Sequence, residues 1–211
     1  MENVFEAGGV RGVLHQPSHA FGDALALTHG AGSNCHAPLL VQLARAFAQA
    51  GLLVLRYDLP FRQQRPKGPP FPSTAARDRE GVARAVGVLR RLVAGNVFAG
   101  GHSYGGRQTA MAAAERSGMA DALLLLSYPL HPPAKPDRPR TSFFPDLRTP
   151  ALFVHGASDP FGSLPELRQA IESIPARTEL LAVEGAGHDL KRAGDMAPEL
   201  LVRLRGLVAG R

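Results

Sequence analysis

The sequence has no tryptophan and one cysteine, Cys35. A lone thiol excludes an intrachain disulfide and fits a reducing compartment, so a cytoplasmic protein is expected. No apolar run approaches the ~18 residues needed to span a bilayer, and no membrane partner is expected. Met1-Glu2-Asn3 opens with an acid and no apolar core follows, so no secretory leader is expected. The eight histidines lack H-E-x-x-H or paired-cysteine spacing, so no metal and no cofactor are expected. Acids are in the minority, 18 against 24 Lys and Arg, for a net charge of +6. The excess is almost all arginine, and Arg45, Arg77, Arg84, Arg116, Arg168 and Arg203 scatter over several expected helices. No aromatic stacking motif accompanies them, so they read as solvated surface and no nucleic-acid partner is expected.

What is there is globular: 211 residues, 45% hydrophobic and 20% charged. One α/β domain over residues 1–211 is expected. Strand-like apolar runs at Val10–Leu14, Ala24–Thr28, Leu52–Tyr57, Asn96–Ala99, Ala122–Ser127, Ala151–His155 and Thr178–Val183 alternate with helical stretches. The helices are expected at Pro38–Ala50, Thr74–Val93, Gln108–Arg116, Pro165–Ile174 and Pro198–Val208. Glu80 and Arg84 have i,i+4 spacing for an ion pair. Asp58–Ser73 reads as a long surface loop. The prolines of Tyr128–Pro150 exclude a regular helix there. The alternation implies a mostly parallel sheet with helices on both faces and a ligand site outside the carboxyl ends of the strands.

Chemistry-bearing residues gather at those strand ends. "GGHSYGG" holds Ser103 between paired glycines, the G-x-S-x-G pattern of a nucleophile on a sharp strand-to-helix turn. A serine hydroxyl needs a base, and His188 in "GAGHDL" is the candidate. A carboxylate must hold that imidazole, and Asp159 in "HGASDP" is placed to do so. Asp189 and Asp146 are the rival acids. Asp189 adjoins the histidine and reaches its ring poorly; Asp146 precedes a strand and belongs to the wrong edge. Backbone N–H groups of Ala31 in "HGAG" and of Tyr104 are the expected oxyanion donors. Tyr128, His131 and Phe143 are expected to form one wall of an open or shallow site. Asp58, Arg62, Arg107 and Arg140 suit either a substrate carboxylate or pairing with one another, with a structural ion pair favoured for Arg107. Cys35 reads as a small helix-start residue.

Two nucleotide-binding readings fail. "ALALTHGAGSNC" has Cys35 where a dinucleotide fingerprint needs its third glycine. "GGHSYGGR" has Arg107 and Gln108 where a P-loop needs Lys and Ser/Thr.

The segments "THGAGSN", "VLRYDLPF", "GGHSYGGR", "LLLSYPLHPPAKP" and "LFVHGASDPFG" together resemble the α/β-hydrolase superfamily over essentially the whole chain. More narrowly, "YPLHPP" is similar to the small lidless branch of testis-expressed hydrolase-like proteins and the hydrolase-like domain of a histone-acetyltransferase complex subunit. Dienelactone hydrolases are more distant, and Ser103 stands where they carry cysteine. The resemblance implies an α/β-hydrolase fold without a lid and carries Ser103, Asp159 and His188 over as a triad. The function expected is a serine hydrolase acting on a small ester, thioester or related acyl substrate, as a monomer or homodimer. The rival is a hydrolase-fold interaction subunit with little turnover.

Overall fold

A computed structural model describes residues 1–19, 22–191 and 193–209. The first half of the chain runs β1 (Glu2–Ala7), β2 (Val10–His15), β3 (Ala24–Thr28), α1 (Pro38–Gln49), β4 (Leu53–Tyr57), α2 (Pro60–Gln64) and α3 (Ala75–Arg90). The second half runs β5 (Val97–His102), α4 (Tyr104–Glu115), β6 (Leu123–Leu126), β7 (Ala151–Gly156), α5 (Leu164–Ile171), β8 (Thr178–Val183) and α6 (Ala197–Val208). The strands form one eight-stranded sheet in the order β1-β2-β4-β3-β5-β6-β7-β8. β1 and β2 are antiparallel to their neighbours and every other pairing is parallel.

The two-residue period of each strand divides its side chains between two cores. In β6, Leu123 and Leu125 face α3, α4 and α5, while Leu124 and Leu126 face α1 and α6. β3 divides in the same way, Ala24 and Ala26 to one side and Leu25 and Leu27 to the other. Strands covered on both faces therefore read as unbroken apolar runs, and these are the ones visible in the sequence.

The structure adds two elements. β1 is an edge strand with five of its six residues exposed, so it has no buried period to detect. Its hairpin turn is Gly8-Gly9 with φ of 60° and 74°, which both lie in the left-handed region that a two-residue turn needs. α2 falls inside the stretch expected to be a surface loop, yet Pro60, Phe61 and Arg62 are buried. The buried Asp78 of α3 anchors it by accepting from Phe61 N at 3.0 Å. α4 begins at Tyr104, earlier than the expected Gln108, because Gly105 and Gly106 are helical despite their poor propensity. Glu80 pairs with Arg116, the residue after α4, and not with Arg84 as the spacing suggested. The Tyr128–Pro150 segment holds one 3-10 turn, Phe144–Asp146, and no α-helix, as expected for a lidless fold. Among the described residues no helix is long and apolar enough to cross a membrane.

His15 of β2 is 1% exposed, and its Nε2 accepts from Arg56 Nε at 2.7 Å. Burial, and then the Arg56 charge, push its pKa down to about 4. On acidification the unfolded chain therefore takes up this proton first, and stability is lost as pH falls from about 6.5 towards about 4. Glutamine at this position keeps an acceptor for Arg56. His15→Gln is expected to cut the stability lost between pH 7 and about pH 4.5 by about 2–3 kcal/mol, read by urea denaturation at both pH values.

Candidate active site

β5 ends at His102 and α4 starts at Tyr104, so Ser103 alone makes the corner. Its φ of 52° and ψ of −116° are sparsely populated for residues with a side chain, a strain of order 1–3 kcal/mol. Two backbone bonds hold it, Ser103 N to Leu126 O at 2.8 Å and Arg107 N to Ser103 O at 2.9 Å. The flanking glycines let strand and helix approach. A Cβ on Gly101 would lie 2.7 Å from the Gly105 carbonyl carbon, and one on Gly105 would lie 2.4 Å from His29 O.

The three residues singled out by the sequence meet at this corner from three strand ends. Ser103 Oγ lies 2.8 Å from His188 Nε2, and His188 Nδ1 lies 2.8 Å from Asp159 Oδ2. An ionised carboxylate only accepts, so Nδ1 carries the proton and Nε2 is left to accept from the serine hydroxyl. Asp159 is buried, and its Oδ1 accepts from Phe161 N at 2.9 Å. Burial opposes its charge, but the hydrogen bonds from His188 and Phe161 N–H prevail and hold the carboxyl below its usual range. Asp189 is exposed and pairs with Lys191 at 3.4 Å. The pairing of His188 is with Asp159.

Two neighbours that carry no motif fix the imidazole. The Phe161 ring stacks on His188 with centroids 4.2 Å apart and 30° between planes. His102 Nε2 donates to the His188 carbonyl at 2.7 Å, pinning the backbone of that loop. The only sequence signal for either was adjacency, to Asp159 and to Ser103.

The "HGAG" loop is held from beneath. His29, fully buried, donates from Nδ1 to Gly30 O at 2.9 Å and accepts at Nε2 from Leu59 N at 3.1 Å. Burial, the dominant influence, lowers its pKa, in keeping with a neutral ring. Arg62 donates to Ala31 O (3.0 Å), Ser33 O (2.7 Å), Arg65 O (3.1 Å) and Gly68 O (2.9 Å). It is thus a structural staple, 5% exposed. Asp58 is structural too, accepting from Cys35 N at 2.7 Å. Cys35 itself is buried, and burial together with the Asp58 charge pushes its thiol up to about 12. A thiol so rarely ionised is no nucleophile. With these carbonyls engaged behind the loop, the amides of Ala31 and Tyr104 have no acceptor among the described residues. Both residues line the cavity that Ser103 lines.

That cavity is about 560 Å³. Its walls differ from the expectation. Tyr128 is fully buried behind it, its hydroxyl donating to Arg140 O, and neither His131 nor Phe143 lines it. Pro-rich loops turn their side chains as their local bonds dictate, and here Tyr128 turns inward to pack on Phe144 and Phe153. Pro129, Arg140 and Phe161 stand where that wall was expected, and Pro69–Pro72, from the supposed surface loop, form another. Arg107 also lines the cavity and has no ion-pair partner among the described residues, contrary to the structural pair expected for it.

A mostly parallel, two-faced sheet whose elbow serine meets a histidine and an aspartate from later strand ends defines the α/β-hydrolase class. A family model described as an alpha/beta hydrolase domain matches residues 22–200, and the chain belongs to that family. Among solved structures the chain is similar to Est1E from Butyrivibrio proteoclasticus, at 16% identity and a TM-score of 0.74, covering 97% of this chain and 99% of that one. It is similar to a dienelactone hydrolase from Anabaena variabilis at 22% identity and a TM-score of 0.73, covering 97% and 95%. It is also similar to an alpha-beta serine hydrolase homologue from Coxiella burnetii at 15% identity and a TM-score of 0.70, covering 100% and 96%. At these identities the likeness shows the fold.

Proposed function

We propose that the protein is a cytoplasmic serine hydrolase, one domain of the small lidless branch, that splits a small ester, thioester or related acyl substrate. The observation that carries this reading is the unbroken chain from Ser103 Oγ to His188 to Asp159, both links 2.8 Å. Ser103 Oγ attacks the substrate carbonyl carbon as its proton passes to His188 Nε2. The oxyanion accepts from the N–H groups of Ala31 and Tyr104, at the N-terminus of α4, where the helix dipole favours negative charge. The bond to the leaving group breaks, and His188 returns the proton to it. Water, deprotonated by the same nitrogen, then attacks the acyl carbon, the bond to Ser103 Oγ breaks to release the acid, and His188 returns the proton to Oγ. Asp159 holds Nδ1 protonated throughout and stabilises the imidazolium.

The test is labelling by a fluorophosphonate probe, with the adduct mapped by peptide mass spectrometry. The expected result is one adduct per chain, on Ser103. No adduct overturns the reading in favour of a hydrolase-fold interaction subunit, and an adduct elsewhere overturns Ser103 as the nucleophile.

A further inference from the structure

The cavity beside Ser103 is apolar over most of its surface, and its charged lining residues are both arginines. Phe71, Met111, Pro129 and Phe161 supply apolar lining. Arg107 and Arg140 are the charged residues among the lining, and no aspartate or glutamate joins them. Both are half-buried. Among the described residues neither guanidinium has a carboxylate within ion-pair distance, whereas Arg79, Arg90 and Arg203 elsewhere each have one.

Both arginines are positioned. Arg107 sits in the first turn of α4, its N donating to Ser103 O at 2.9 Å, and lines the same cavity as Ser103. Its Nε is buried with no acceptor among the described residues. The backbone of Arg140 is clamped by Arg140 N donating to Leu130 O at 2.7 Å and by the Tyr128 hydroxyl donating to its carbonyl. Gln108 adds a neutral donor. It is fully buried and lines the cavity, and its Oε1 accepts from Arg79 at 3.5 Å. That leaves Nε2 as a donor with no acceptor among the described residues.

Two cations half out of water, with a buried amide donor lining the same cavity and no acid there, are unfavourable as they stand. Arg140 registers this: burial first, then the Arg107 charge, lower its pKa. A bound anion would reverse the penalty. A carboxylate has two oxygens and about four lone-pair sites, enough for two guanidinium edges and one amide N–H.

We propose that Arg107, Arg140 and Gln108 form an anion subsite, and that the ester split at Ser103 carries a carboxylate. This rests on Ser103 being the acyl-transfer nucleophile. Arginine suits the task because its planar fork grips a carboxylate through two parallel bonds.

The test compares kcat/KM for p-nitrophenyl hydrogen glutarate with that for p-nitrophenyl hexanoate. A second arm moves the charge to the leaving group, p-carboxyphenyl butanoate against p-acetylphenyl butanoate. The wild type is expected to prefer the charged member of one pair by roughly 10- to 100-fold, the range of a charge-assisted contact. The pair that shows it tells which half of the substrate bears the carboxylate. Arg107→Gln and Arg140→Gln are each expected to bring that ratio close to one. Hydrolysis of the neutral esters with no preference in either pair overturns the subsite and leaves the hydrolase reading standing. A preference that both variants retain overturns the assignment to these arginines. No hydrolysis of any ester together with no fluorophosphonate adduct overturns both.

Discussion

Replacing Ser103 by alanine is expected to reduce kcat on short p-nitrophenyl esters by on the order of 10⁶, to the background left by binding and oxyanion donors alone. The stability of the chain should barely move, because alanine inherits the same backbone conformation and loses only a hydroxyl. Glycine sharpens the experiment. At φ 52°, ψ −116° a side chain is strained, and its removal returns part of ~1–3 kcal/mol. The extra freedom of glycine in the unfolded chain takes back only ~0.4–1 kcal/mol. Ser103→Gly is therefore expected to be as inactive as Ser103→Ala and up to about 1 kcal/mol more stable, read by urea denaturation. A dead variant that outlasts the wild type would mean that the strain at this corner is kept for chemistry. A Ser103→Ala protein that still turns over the esters would sink the mechanism.

Asp159→Asn is expected to lower kcat by about 10⁴ with little structural change, read by steady-state hydrolysis of the same esters. The carboxylate and the amide that replaces it differ in hydrogen-bond polarity, since the amide carbonyl can still accept from Phe161 N. The new NH₂ then faces His188 Nδ1, which must become an acceptor. The ring proton moves to Nε2, and Ser103 loses its base. Asp189→Asn is the matched control, an exposed acid paired with Lys191, and kcat should stay within about twofold, as for a surface change. If the two variants exchange these behaviours, the carboxylate partner has been misassigned.

How much of this was legible in the sequence follows from burial. β3, β5, β6 and β7 are covered on both faces and show as apolar runs. β1 is an exposed edge carrying Glu2 and Glu6, with no buried period to detect. α2 looked like loop because prolines and arginines crowd it. It is folded by a single buried carboxylate, Asp78, and by the carbonyls that Arg62 reaches. The Ser103, Asp159 and His188 positions were readable because each closes a strand and follows a known order. Phe161 and His102 act through a ring face and a backbone carbonyl, contacts that leave no pattern in a chain. Tyr128, His131 and Phe143 were misplaced as a wall for the same reason: their direction is set by local bonds in a segment without regular structure.

Arg62 has a consequence for how substrates of different size are sorted. One guanidinium clasps carbonyls of the "HGAG" loop and of the 65–68 turn, and the wall begins at the next residue, Pro69. The amide that would meet the oxyanion and the surface that limits the acyl chain are thus one mechanical part. An acyl group that pushes the wall outward is expected to shift the Ala31 amide through this clasp, and misplacement of ~1 Å in such a donor can cost 10²-fold in rate. Bulk is then expected to be rejected at the transition state more than at the door, read as a fall in kcat over a series of p-nitrophenyl esters of growing acyl length before KM rises.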